Sequence, residues 1–121
     1  MTKLSIVVPT RNRCDTLIHT LRTILTQDCP SIEIVVSDNF SDDETRNYVA
    51  SLADPRLKYI NTGSRLSMSA NWEFALKHCS GEYITFIGDD DGFTPGGVEI
   101  ALRHLERTRL PAIIWEKAEY C

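Results

Sequence analysis

Three aspartates, Asp89, Asp90 and Asp91, stand consecutively between Gly88 and Gly92. They follow Tyr83-Ile84-Thr85-Phe86-Ile87, a run with the β-branched and aromatic character of a strand. Carboxylates this close raise one another's pKa, so the cluster is strained without a counter-charge. A hard divalent cation would supply one. Mg²⁺ and Mn²⁺ take oxygen ligands, and Mg²⁺ is typically held by one or two carboxylates together with substrate phosphates. The flanking glycines let the backbone approach a ligand closely. The plainer alternative for the same residues is a solvated acidic turn. A further acid, Asp38, ends the run Ile32-Glu33-Ile34-Val35-Val36-Ser37. A carboxylate there suits hydrogen bonds from a base N–H or a ribose hydroxyl, and equally suits an ordinary turn. Arg11, Arg13 and Arg65 are candidate phosphate or ring-stacking partners, with exposed surface charge as the alternative.

Other chemistries find no support in the spacing. An EF-hand needs spaced acids and a closing glutamate, whereas Phe93-Thr94-Pro95 follow Gly92. No G-x-G-x-x-G turn and no G-x-x-x-x-G-K-[ST] loop follows the first strand. The four cysteines, Cys14, Cys29, Cys79 and Cys121, contain no C-x-x-C pair, and reduced thiols are expected. His19, His78 and His104 fall in helical patterns without metal spacing, and Trp72 is expected to pack in the core or at its rim.

The elements that must position these residues alternate strand and helix. Leu4–Val8 and Ile32–Val36 are apolar runs expected to be buried on both faces, as in a parallel sheet. Leu57–Ile60 and Tyr83–Ile87 read as further strands, and Ala112–Trp115 as the start of a fifth. Between them, Leu17, Leu21, Ile24 and Leu25 recur at helical spacing. Ser41-Asp42-Asp43-Glu44 has the form of a capping box opening a helix that runs to about Leu52. Trp72, Ala75, Leu76 and Cys79 mark one side of a third helix, stopped by Ser80-Gly81. Thr94-Pro95 reads as an N-cap with proline at the first helical position, and Val98, Ala101, Leu102 and Leu105 as the core face of the helix that follows. Serial strand–helix units predict right-handed crossovers and a three-layer α/β/α fold with a mainly parallel sheet. Ligands in such sheets bind beyond the carboxyl ends of the strands, which is where Pro9–Arg13, Ser37–Asn39 and Gly88–Gly92 lie.

The 121 residues suffice for one domain, and 42% hydrophobic with 25% charged residues argues against disorder. A net charge of −4 disfavours phosphate backbones, so no nucleic-acid partner is expected. No apolar run approaches the ~20 residues of a membrane helix, and no secretory signal is visible. A cytoplasmic location is expected, with peripheral attachment at the inner face of the membrane as an option.

Taken together, three segments resemble one family. Leu4-Ser5-Ile6-Val7-Val8-Pro9-Thr10-Arg11-Asn12-Arg13 is similar to the opening strand and turn of family 2 glycosyltransferases, the inverting group with the GT-A fold. Ile32 to Asp43 is similar to that family's second strand with its nucleotide-contacting aspartate. Gly81 to Pro95 resembles the strand leading into the D-x-D metal motif and its downstream proline. The resemblance spans essentially the whole chain.

The resemblance implies a nucleotide-diphospho-sugar transferase-like domain acting on a nucleotide-sugar, a UDP-sugar first among them, and passing the sugar to an acceptor hydroxyl with inversion. It implies that Pro9, Thr10, Arg11, Asp38, Arg65 and Asp89 bind the nucleotide, with Asp38 at the base and Asp89 near the ribose. It implies that Asp90, with Asp91 as a further acid, holds Mg²⁺ or Mn²⁺. The acceptor would be a saccharide or a lipid-linked sugar of cell-envelope polysaccharide synthesis. Residues 1–121 are expected to be the nucleotide-sugar-binding part of a truncated GT-A domain, with the general base beyond Cys121. The Leu110–Trp115 stretch is expected as exposed apolar surface that favours a homo-oligomer. Two other readings stay open on the residues alone: a receiver-like, Mg²⁺-binding phospho-signalling module, and a nucleotidyltransferase on a related sheet.

Overall fold

Alternating side chains decide how the sheet is covered. In the computed structural model, which describes residues 2–114, four strands form one parallel sheet: β1 (Leu4–Thr10), β2 (Ile32–Asp38), β3 (Leu57–Asn61) and β4 (Tyr83–Phe86). Their order is β3-β2-β1-β4. On β1 and β2, Leu4, Ile6, Val8, Ile32, Ile34 and Val36 face one side and join the larger core cluster. Val7 and Val35 face the other side and join a smaller cluster. Both central strands are thus apolar on both faces, as a doubly covered parallel sheet requires.

The helices are α1 (Cys14–Leu25), α2 (Thr45–Ala50), α3 (Met68–Leu76) and α4 (Gly97–Arg107). Leu17, Leu21 and Ile24 of α1, Val49 of α2, and Val98, Leu102 and Leu105 of α4 pack into the larger cluster. Ala75 of α3 packs into the smaller one, so the molecule has three layers. Handedness explains this partition. The chain steps outward from β1 to β2 to β3, then returns past β1 to place β4 on the far side. A right-handed crossover in the reverse direction puts its helix on the opposite face, and α3 is that helix. The reversal makes the gap between β1 and β4 the topological switch point.

Pro9 sharpens that gap. The last β1–β4 rung pairs Val7 with Phe86, and the Val7 carbonyl accepts from the Ile87 N–H at 2.9 Å. Backbone alternation turns the Pro9 nitrogen toward the same side. Having no N–H, it cannot extend the ladder, and the strands part there.

Several local expectations are corrected. Ala112–Ile114 form no strand, so the described sheet has four strands, and Trp115, like Cys121, lies outside the described residues. The expected capping box does not form. Glu44 stands at the N-cap without a side-chain cap bond, while Asp43 just before it accepts from Thr45 N–H at 3.0 Å and Thr45 Oγ1 at 2.6 Å through Oδ1, and α2 ends at Ala50. The last helix begins at Gly97, with Gly96 at φ +74 before it, because Thr94 and Pro95 form a preceding turn closed by Gly97 N–H to Thr94 O at 2.9 Å. α3 ends at Leu76, leaving His78 and Cys79 beyond it. Its buried face is Asn71 and Ala75, whereas Trp72 and Leu76 are 39% and 43% exposed. A polar residue, Asn71, occupies the inward position because its Oδ1 accepts from Ser37 Oγ at 2.7 Å, which apolar periodicity does not register.

Candidate functional site

Thr10 and Asp89 meet across the switch point. The Thr10 hydroxyl donates to Asp89 Oδ2 at 2.9 Å, both residues being buried. Arg13, the residue before α1, places Nη1 3.2 Å from Asp89 Oδ1 and Nη2 3.0 Å from Asp90 Oδ2. Burial pushes the Asp89 carboxyl above its usual range; Thr10 and Arg13 oppose that shift and the Asp90 charge adds to it. From below, α1 clasps the acidic turn. Thr20 Oγ1 donates to Asp91 O at 2.6 Å, and Thr23 Oγ1 accepts from Phe93 N–H at 3.1 Å.

Behind this pair a second layer fixes the loop after β2. Asp38 is fully buried, its Oδ1 accepting from Ser41 N–H at 2.9 Å and its Oδ2 from Tyr59 OH at 2.6 Å. The next residue, Asn39, ties the loop before α3: its Nδ2 donates to Leu66 O and its Oδ1 accepts from Leu66 N–H, each at 2.8 Å. Arg11 Nη1 donates to the carbonyls of Asn39 and Phe40, each at 2.8 Å. Phe40 sits at φ +57, a conformation that a bulky side chain rarely adopts. It is 51% exposed beside the site, held by the bonds on either side of it.

These layers enclose a cleft of about 750 Å³ over the carboxyl ends of β1 and β4. Pro9, Thr10, Arg11, Arg65, Asp89 and Asp90 line it, all expected from the sequence. Asp38 and Asp91 do not line it. Arg13, a candidate phosphate partner from the sequence, lines it too; the structure adds Asn39 and Asn71 to its wall, and an apolar side made of Met68, Trp72, Phe86 and Ile87. Trp72 and Phe86 stack with centroids 4.7 Å apart and planes 14° from parallel. That pairing joins α3 to β4, so no pattern within either element announces it. A second depression of about 820 Å³ lies at the opposite end of the strands. Its main cation, Arg56, is engaged by Asp54 and by the carbonyls of Leu25, Gln27 and Cys29, which makes it a brace for the fold.

Among the described residues no group of three or more His, Cys, Asp or Glu side chains forms a self-sufficient metal cage. Two carboxylates do converge above Gly88. A Cβ at that position would stand 2.7 Å from Asp91 Oδ2 and 2.9 Å from Asp90 Oδ1. The missing side chain leaves the space into which both acids turn. An all-oxygen, two-carboxylate set open to solvent fits Mg²⁺ or Mn²⁺ completed by phosphate oxygens, and does not fit a closed structural site.

Comparison with known proteins agrees with this geometry. The description of Glycosyl transferase family 2 matches residues 5–116. The GalNAc(5)-diNAcBac-PP-undecaprenol beta-1,3-glucosyltransferase of Campylobacter jejuni is 37% identical over 106 residues, covering 85% of this chain and 34% of that protein. The UDP-Glc:alpha-D-GlcNAc-diphosphoundecaprenol beta-1,3-glucosyltransferase WfgD of Escherichia coli is 28% identical over 99 residues, covering 82% of this chain and 39% of that protein. The chain therefore spans less than half the length of these curated relatives. Among solved structures, S. aureus TarS in complex with UDP-GlcNAc superposes with a TM-score of 0.78 at 26% identity, over 87% of this chain and 31% of TarS. The mannosyltransferase PcManGT of Pyrobaculum calidifontis, in complex with GDP-Man and Mn²⁺, gives 0.74 at 25% identity, over 84% of this chain and 31% of that one. These neighbours are GT-A glycosyltransferases, and nothing among them supports a receiver module or a nucleotidyltransferase. With the parallel sheet, the acidic turn at its switch point and a family match over nearly the whole chain in agreement, this protein belongs to glycosyl transferase family 2.

Proposed function

We propose that residues 1–121 form the nucleotide-sugar-binding part of a single GT-A domain, in a protein that transfers a sugar from a UDP-sugar to an acceptor hydroxyl with inversion. The observation that carries this is the convergence of Thr10, Arg13, Asp89 and Asp90 at the switch point. Such a site has carboxylates for a cation, guanidiniums for phosphates and an apolar side for rings. Asp90 and Asp91 would hold Mg²⁺ or Mn²⁺, which when bound stabilises charge developing on the departing diphosphate. The chain's own residues orient the donor. Thr10 fixes the rotamer of Asp89, the candidate ribose contact, while Arg11 and Asp38 hold the loop bordering the base, and Pro9 keeps the strands apart beneath it. Arg65 brings a further positive charge to the cleft wall. In the transfer, the acceptor oxygen bonds to the anomeric carbon as the carbon–oxygen bond to the diphosphate breaks. The acceptor hydroxyl gives up its proton to a general base as that bond forms.

The Campylobacter and WfgD relatives are named for undecaprenol-linked substrates, which supports a lipid-linked acceptor here. Those lipid-linked substrates also support peripheral attachment at the cytoplasmic face of a membrane; no helix among the described residues is long and apolar enough to cross one.

The test is UDP binding by calorimetry in Mn²⁺ and in EDTA. Asp90→Asn is expected to weaken binding at least tenfold in Mn²⁺ and little in EDTA, on the order of one lost charged contact. Equal weakening in both conditions would remove Asp90 from the metal.

A further inference from the structure

We propose that Arg13 is a movable internal counter-ion that makes metal and nucleotide binding interdependent: it stands on Asp89 and Asp90 in the unliganded chain and transfers to the diphosphate when the metal–nucleotide pair arrives. The proposal rests on the reading of Asp90 as a metal-holding residue.

Geometry separates Arg13 from its neighbour. Arg11 donates to two backbone carbonyls, Asn39 O and Phe40 O, and is built into the wall. Among the described residues, the Arg13 side chain bonds only to carboxylates of the acidic turn, through both ends of its fork. Its side chain is 48% exposed and that of Asp90 is 52% exposed, so their pair is solvent-screened and readily exchanged. The base of the arm is nevertheless fixed. The Arg13 carbonyl accepts from Thr16 N–H at 3.2 Å and Leu17 N–H at 2.9 Å, anchoring it at the start of α1. The Asp89 side chain is only 9% exposed, so Nη1 is the firmer end of the fork and Nη2 the exchangeable one; a fixed root with one exchangeable contact keeps the guanidinium at the rim of one small site.

Charge then dictates an order. A dication seeking Asp90 meets a guanidinium 3.0 Å from that carboxylate, and like charges in one site oppose each other. The metal alone is therefore disfavoured. A nucleoside diphosphate brings phosphate oxygens that suit the arginine fork better than an exposed carboxylate. Once Arg13 has moved to them, Asp90 is released to the cation. Each ligand removes the obstacle to the other, which is positive coupling between two sites.

The experiment measures Mn²⁺ affinity of the 121-residue chain with and without UDP, by the electron paramagnetic resonance signal of free Mn²⁺. In the unsubstituted chain, UDP is expected to tighten Mn²⁺ binding at least tenfold. In Arg13→Gln, Mn²⁺ alone is expected to bind about fivefold more tightly and the gain from UDP to shrink by at least that factor. Arg13→Lys keeps the charge and is expected to keep Mn²⁺ alone weak. Unchanged Mn²⁺ affinity and unchanged UDP gain in Arg13→Gln would overturn the proposal, and so would a tight Mn²⁺ site in Arg13→Lys. If the unsubstituted chain binds UDP with no gain from Mn²⁺, the reading of Asp90 fails first and takes the proposal with it.

Discussion

Asp38 has no exposed surface, and both of its carboxylate oxygens are engaged by protein donors. It therefore supports the cleft from behind, by holding Ser41 and so the loop that carries Asn39 and Phe40. Asp38→Ala is expected to lower stability by about 2 kcal/mol, the scale of losing hydrogen bonds to a buried charge and stranding their donors. UDP affinity should fall with it. Tyr59→Phe removes one of the two bonds and should lose about half as much stability; urea denaturation of both variants, with UDP titrations alongside, is the check. A Tyr59→Phe protein as unstable as Asp38→Ala would show that the Ser41 bond contributes nothing. The sequence makes Asp38 legible because a carboxylate at the end of an apolar run is conspicuous. Tyr59 is not legible in the same way: it lies 21 residues further on, and only the adjacency of β2 and β3 brings its hydroxyl to the carboxylate. Arg13 is legible as a candidate cation, but its two partners follow β4, which only the topology sets beside β1.

The two central strands are the most readable elements, because burial on both faces leaves an unbroken apolar run; the apolar run from Ala112 imitates one, yet Ala112–Ile114 form no strand. The helix starts were less readable, because several polar residues compete to cap them and the winner depends on where the preceding loop is pinned. Ser41 has a suitable side chain, but its N–H is held by Asp38 and its hydroxyl accepts from the Asn12 N–H at 2.8 Å, so the helix starts later, where the Thr45 N–H is satisfied by Asp43. Ser80-Gly81, expected to stop α3, lies beyond its actual end at Leu76 and has a different role. Gly81 N–H donates to Ser5 Oγ at 2.9 Å, and Ser5 Oγ donates to Glu33 Oε1 at 2.6 Å, which stitches the connection before β4 to the lower ends of β1 and β2. A Cβ on Gly81 would lie 2.6 Å from Ser5 N, 2.6 Å from Ser5 Oγ and 2.8 Å from Tyr83 O. Two of those atoms are backbone, so Gly81→Ala is expected to cost roughly 2–3 kcal/mol by overpacking. Gly96→Ala is the contrast: at φ +74 with nothing within 4 Å, it should cost about 1 kcal/mol from backbone strain alone. Equal thermal shifts in the two variants would refute the distinction.

At the scale of the whole molecule, partly buried carboxylates tie stability to pH. Burial pushes the Glu33 carboxyl up, but hydrogen bonds from Ser5 and Ser80 more than offset this and its pKa is lowered. The Arg56 hydrogen bond lowers that of Asp54. A carboxyl with a depressed folded-state pKa contributes stability above its unfolded value, near ~4, and loses it as pH falls through the folded value. The urea midpoint should therefore drop from about pH 4 downward, and Glu33→Gln should flatten that drop while lowering the midpoint at pH 7. Parallel acid profiles for the two proteins would dissociate Glu33 from the effect. The strand order has a consequence for biosynthesis. β1 ends at Thr10, yet one of its two partners is β4, completed only at Phe86. At ribosomal rates of about 5–20 residues per second, the central strand waits several seconds after its own synthesis with one edge unpaired. During that interval the edge of β1 that later meets β4 is an open row of backbone donors and acceptors, exposed to chaperones and to neighbouring nascent chains.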